Sequence, residues 1–177
     1  IIVMNDIKNI RFRTQRLRTS SALRSITSET RLSVDNLILP VFLKSGTNLK
    51  IEIKAMPNFY QLSIEKGIEE ISSAVDLGIK SFILFGIPSS KDEIGSSAFS
   101  DDGVIQLALQ RIKKQFPDIL IITDLCMCEY TSHGHCGVIN NNVLDNDATL
   151  ELLNKQALTH AQHGSDVIAP SGMIDGA

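Results

Sequence analysis

The sequence predicts an α/β protein built on a parallel sheet, and three observations carry that expectation. Four short apolar runs, at 37–42, 81–85, 120–124 and 166–169, lack polar alternation, as strands covered on both faces do. Amphipathic helical stretches lie between them. Strand and helix patterns then alternate at roughly forty-residue spacing, which favours parallel strands joined by right-handed crossovers.

The elements follow in order. Residues 1–33 stand apart as an extended N-terminal arm, in which RFRTQRLRTSSALR carries Arg11, Arg13, Arg16, Arg18 and Arg24 without core periodicity. Such an arm is either solvated or docked on a neighbouring subunit through arginine–carboxylate pairs. Residues 34–177 hold the strands and helices. After the first strand, 63–77 places Ile64, Ile68, Ile71 and Val75 on one stripe, with Ser63 as N-cap and Gly78 as the stop.

The second strand, SFILF, leads to a helix over 102–116 that carries Val104, Ile105, Leu107, Ala108, Leu109 and Ile112 before Pro117 ends it. The third strand, LIITD, is followed by a helix over 147–163, with an aspartate cap at its start and Gly164 beyond its end. The fourth is DVIA. No G-x-G-x-x-G follows the first strand, so a dinucleotide-binding doubly wound fold lacks its mark. A (β/α) barrel fits the same alternation, and four strands make half of one, with two open edges.

Composition narrows the function classes. A chain of 177 residues with 43% hydrophobic residues can bury one ordinary core. A net charge of −3 gives no electrostatic basis for binding nucleic acid or an anionic membrane, and the absence of Trp disfavours base stacking. No apolar run approaches the roughly 18 residues that span a bilayer. The expectation is a soluble, cytoplasmic protein. The start at Ile1 and the stop at Ala177, directly after a strand, read as the ends of a piece of a longer chain.

The densest chemistry is DLCMCEYTSHGHCG, residues 124–137, which holds all three cysteines, Cys126, Cys128 and Cys136, with His133 and His135 between the last two. The third strand delivers its C-terminal end into this segment, and in α/β proteins ligands bind at that end. Cys126 and Cys128, two apart, point to one side of an extended chain, and Gly134 and Gly137 allow Cys136 to return.

Three thiolates suit zinc, either closed by a fourth ligand such as His133 or His135, or open to water or substrate. The spacing also admits an inert buried cluster, while a redox pair lacks its C-x-x-C. Asp124 is either a loop cap or a cleft carboxylate.

The same run resembles the metal-site signature of the porphobilinogen synthases, also called delta-aminolevulinic acid dehydratases. LILPVFLKSG, the MP of AMPNFYQLS, GIKSFILFGIP and APSGMIDG fall in that family's order and spacing, and the arginine-rich arm is similar to its N-terminal arm. The resemblance implies a (β/α)8 TIM barrel, of which about the first four β/α units are present, and a homo-octamer assembled through the arm. It implies condensation of two molecules of 5-aminolevulinate to porphobilinogen with loss of two waters, in haem and tetrapyrrole biosynthesis.

By the same resemblance Cys126, Cys128 and Cys136 hold catalytic zinc, Asp124 is the active-site aspartate, and Ser171 is a substrate-binding serine. His133 and His135 sit behind the ligands, and magnesium enters as a further metal of the full-length family. Gly172 stands where the family commonly has Asp. The family's two Schiff-base lysines lie on later strands, and none of Lys44, Lys80 and Lys91 matches them. The 177 residues are therefore expected to be inactive alone, the alternative being a short non-catalytic zinc-binding or interaction module.

Overall fold

The computed structural model describes residues 13–177, which places Arg11 of the arm outside the described residues. The chain divides into two compact units between Ser33 and Val34. In the first, a 3-10 turn over Thr14–Arg18 precedes a helix, α1 (Ser21–Ile26). The Ser20 hydroxyl caps α1 by accepting from the Leu23 N–H at 3.1 Å. The Arg24 guanidinium turns back onto the Arg18 carbonyl at 3.0 Å, and neither element buries a residue.

The second unit runs β1 (Ile38–Lys44), β2 (Lys50–Glu52), β3 (Tyr60–Leu62), α2 (Ile64–Asp76), β4 (Ser81–Ile87), α3 (Val104–Gln115), β5 (Leu120–Leu125), β6 (Val138–Asn140), β7 (Val143–Asp145), α4 (Asn146–Gln162) and β8 (Val167–Pro170). Strands β1, β4, β5 and β8 lie side by side, parallel and in chain order. Among these four strands the order does not reverse, as it does at the switch point of a doubly wound sheet, so their winding is that of a barrel segment. Phe42 pairs with Phe85, and their rings stack at 5.0 Å.

The sheet has six strands rather than the four expected. Beyond β1, β3 pairs in parallel at Phe42 and Leu43, and β2 joins β3 antiparallel. KIE and YQL are too short and too polar to show as apolar runs. The same is true of the hairpin β6–β7, whose turn residues Asn141 and Asn142 sit at φ 50° and 61°.

One face of the sheet is well covered. Val41, Leu43, Phe82, Leu84 and Ile121 point to the helices and are at most 2% exposed, packed with Ile71 of α2 and with Ile105, Leu109 and Ile112 of α3. On the opposite face Phe42, Ile83 and Phe85 are only half-buried, and Ile38 and Val167 are exposed. The expectation of cover on both faces is therefore met on one. A second apolar cluster joins Leu125 to Met127, Tyr130, Leu153 of α4 and Ile174.

Two caps differ from expectation. Ser63 takes the N-cap position of α2, but its hydroxyl makes no bond to the first turn. The cap of α4 is Asp145, not Asp147: its Oδ1 accepts from the Ala148 N–H at 3.1 Å, so the helix begins one residue earlier. At the N-terminal end of the sheet, Asp166 accepts from Lys113 Nζ at 2.8 Å and from the Ile121 N–H at 2.7 Å. Among the described residues no helix is long and apolar enough to cross a membrane.

Candidate metal centre

The C-terminal end of β5 sets the site. Asp124 and Leu125 are its last residues, and the chain leaves it with Cys126, Met127 and Cys128. Met127 is fully buried and Tyr130 nearly so, pegging the segment into the second apolar cluster. The flanking cysteines therefore face together, with their Sγ atoms 3.3 Å apart, as the two-residue spacing predicts. The Tyr130 and Thr131 N–H groups both donate to the Met127 carbonyl at 2.9 Å, and this turn reverses the chain. Cys136 returns so that all three sulfurs lie within 4.8 Å of one another.

All three cysteines are free thiols, with Cys126 buried and the other two half-buried. A disulfide needs about 2.05 Å between sulfurs, so the pair is not one. A compact set of three sulfurs at a strand end suits a borderline-soft tetrahedral ion. A carboxylate-bearing group overlaps it, with ligand atoms of Asp124, Cys126 and Glu129 also within 4.8 Å. Sequence reasoning missed Glu129, whose Oε2 is 3.0 Å from Cys128 Sγ. Its position directly after Cys128, in a segment already read as a metal site, was the available signal.

Burial sets the electrostatics of the cluster and disfavours charge on its members. Burial, then the hydrogen bonds to Glu129 and Cys126, pushes the Cys128 thiol well up. Burial and Cys126 raise Cys136 in the same direction. Asp124 is raised by burial and by the charge of Glu129, while a hydrogen bond from the Ser171 hydroxyl pulls the other way. Asp124 stands opposite Ala169 of β8, which brings Ser171 to the same end of the sheet. The site thus gathers Asp124, Ser171 and the three cysteines.

The histidines lie elsewhere. His133 Nε2 is 3.2 Å from the Glu93 carbonyl, and His133 Nδ1 accepts from the His135 N–H at 3.1 Å. A carbonyl only accepts and an N–H only donates, so His133 carries its proton on Nε2 and both ring nitrogens are engaged. His135 faces it, ring to ring at 5.6 Å. Neither belongs to the sulfur cluster. The Gly172 position lies against Cys136: a Cβ built there would sit 3.7 Å from the Cys136 Cβ, ordinary contact distance. Behind the loop, buried Gln156 of α4 donates to the Cys126 carbonyl at 3.3 Å, a tie that the apolar reading of that helix passed over.

Known proteins give the same picture. The family model described as delta-aminolevulinic acid dehydratase matches residues 11–177. Delta-aminolevulinic acid dehydratases from Archaeoglobus fulgidus and Halalkalibacterium halodurans are 48% and 44% identical, over 98% and 93% of this chain. The chain covers 53% and 50% of those two proteins, so it spans about half their length, and 80% of a relative from Ruminiclostridium josui at 48% identity.

A crystal structure of the Toxoplasma gondii enzyme in complex with porphobilinogen superposes with a TM-score of 0.90 at 33% identity, over 95% of this chain and 49% of that one. The fold is accordingly part of a TIM barrel. Singly wound strands, a thiol cluster at the strand ends and matches along nearly the whole chain agree: the chain belongs to the delta-aminolevulinic acid dehydratase family.

Proposed function

We propose that this chain carries the metal-binding part of a porphobilinogen synthase, the lyase that condenses two molecules of 5-aminolevulinate into porphobilinogen with loss of two waters. The observation that supports it best is the set of three thiols within 4.8 Å at the end of the strand that bears Asp124. Cys126, Cys128 and Cys136 would hold zinc, which supplies Lewis acidity and binds water when present. The relatives' name and the bound product of the Toxoplasma structure support the substrate class.

The chain's own residues have separable tasks. Burial keeps a proton on Asp124 to higher pH than an exposed aspartate, so its carboxyl can exchange one with the substrate amine. Ser171 orients that carboxyl through its hydroxyl and offers a polar contact to substrate. Met127 and Tyr130 hold the cysteine segment against the apolar cluster, away from water. No lysine of this chain is assigned a part in the reaction. Three unpaired cysteines suit a reducing, cytoplasmic setting. Assembly as a homo-octamer through the arm, and a magnesium site in the full-length family, rest on the resemblance alone.

Elemental analysis of the purified chain tests the metal reading, with about one zinc per chain expected. Cys128→Ala should abolish tight zinc binding; unchanged zinc content would remove the ligand assignment. The 177-residue chain should form no porphobilinogen from 5-aminolevulinate, and measurable turnover would show that catalytic groups have been overlooked.

A further inference from the structure

The metal loop is held from outside itself. Segment 92–96 belongs to the crossover between β4 and α3, yet it runs along the tract that joins Cys128 to Cys136. The Asp92 carbonyl accepts from the Ser132 N–H at 2.8 Å, and Asp92 and Thr131 form a parallel bridge. The Glu93 carbonyl takes the His133 Nε2–H, and His133 in turn receives the His135 N–H. Thr131 Oγ1 closes the tract by donating to the His135 carbonyl at 2.8 Å. His135 directly precedes Cys136, so these bonds lead from the segment to the third sulfur.

The segment owes its shape to one side chain. Asp92 Oδ1 accepts from the Ile94 N–H at 3.1 Å and the Ser96 N–H at 3.0 Å, while Oδ2 accepts from the Ser96 hydroxyl. This turn lays Gly95, at φ +61°, directly on the loop. A Cβ there would come within 2.8 Å of Met127 Cε and 3.0 Å of the Tyr130 Cβ, so only glycine fits both the backbone and the space.

We propose that Asp92 is a positioning residue for the metal site, shaping segment 92–96 into a clasp that pre-sets Cys136 against Cys126 and Cys128. The physical reason is the state of the tract. Ser132, His133, Gly134 and His135 are all exposed and lie outside the apolar clusters, so packing does not order them. Without the clasp, ordering these residues would be charged to metal binding. With it, the loop is ordered before the ion arrives, as outer hydrogen-bond partners order metal ligands elsewhere.

The inference rests on the zinc reading above, and the test separates the two. Zinc dissociation constants are measured on the full chain by competition with a chromophoric chelator, for the parent, Asp92→Ala and Asp92→Asn, with folding followed by circular dichroism. Asp92→Ala should stay folded and bind zinc roughly 10- to 100-fold more weakly. Asp92→Asn keeps an Oδ1 for both N–H groups and reverses the Ser96 hydroxyl bond, so it should restore affinity to within about threefold of the parent.

In the cobalt(II)-loaded chain, the sulfur-to-metal charge-transfer band should weaken in Asp92→Ala and return in Asp92→Asn, a pattern that general loss of stability would not produce. A parent without zinc affinity removes the metal reading and this inference with it. A parent that binds beside an Asp92→Ala that binds equally well overturns the clasp alone. So does an Asp92→Ala that fails to fold, or an Asp92→Asn as impaired as Asp92→Ala.

Discussion

The two ends of the parallel sheet each hold a partly buried aspartate, and the two are treated in opposite ways. At the N-terminal end, burial works to raise Asp166, but Lys113 and the Ile121 N–H outweigh it and hold the carboxyl below its usual range. At the C-terminal end, burial and the Glu129 charge win over the Ser171 hydroxyl, and Asp124 is raised. Cys128 and Cys136 beside it are raised as well. At one end charge on the carboxyl is favoured by its partners; at the other, burial disfavours it. The lesson is that Asp166 contributes to stability when ionised, whereas burial makes ionising Asp124 and the thiols beside it costly, as the proposed metal site would require.

The largest effect expected from this contrast is on metal binding. Cys128 and Cys136 are raised chiefly by burial, so each must give up a proton when it ligates. Cys126, the third free thiol of the set, gives up a proton too, and three released protons make zinc affinity fall on the order of 1000-fold for each unit by which pH drops below neutrality. Chelator competition at several pH values, with proton release measured in weak buffer, checks this. A pH-independent dissociation constant would mean the thiols are already ionised, and the difference between the two ends would vanish.

Next in size is Asp166→Ala, which leaves the Ile121 N–H without its acceptor and Lys113 Nζ with only the Ile119 carbonyl at 3.2 Å. Chemical denaturation should show a loss of roughly 1–3 kcal/mol, with zinc content unchanged. The pH signs also oppose. Asp166, depressed when folded, contributes stability that is complete above the unfolded value near 3.8 and is lost as pH falls through the folded value. Asp124, raised when folded, contributes below the unfolded value and loses that contribution as pH rises through the folded one. Asp124→Asn should therefore raise metal-free stability at neutral pH by no more than about 1 kcal/mol, visible as a small gain in the denaturation midpoint.

Much of this contrast was legible in the sequence, because the signals were periodic or dense. Val41, Leu43, Phe82 and Leu84 sit in apolar runs, and Ile64 and Ile71 on a helical stripe, so the four principal strands and the three long helices lie within a few residues of their expected positions. The thiol cluster was legible because C-x-C fixes two side chains on one side. What escaped had no local period. Strands β2 and β3 are three residues each and exist because β1 offers an edge. The Asp92 clasp joins segments about forty residues apart mainly through backbone groups, and a backbone bond leaves little mark on composition. Asp145 displaced Asp147 as cap because β7, itself unexpected, ends at the earlier residue.

The smallest effect decides whether the N-terminal end is held by charge or by hydrogen-bond geometry. Lys113 and Asp166 are both partly exposed, so their ion pair is screened by solvent and is worth under about 1 kcal/mol. The Lys113 stem also packs against Gly164, with its Cγ 3.3 Å from where a Cβ would stand, and methionine at that position would keep this packing. Lys113→Met should accordingly cost only a few tenths of a kcal/mol up to about 1 kcal/mol, because Asp166 still accepts from the Ile121 N–H. In an Asp166→Ala background the same change should cost still less, since the pair is already broken. If instead Lys113→Met costs as much as Asp166→Ala, the ammonium and not the backbone N–H is what keeps Asp166 ionised. The two ends would then differ by one missing cation, and a lysine introduced beside Asp124 would be enough to make the functional end resemble the structural one.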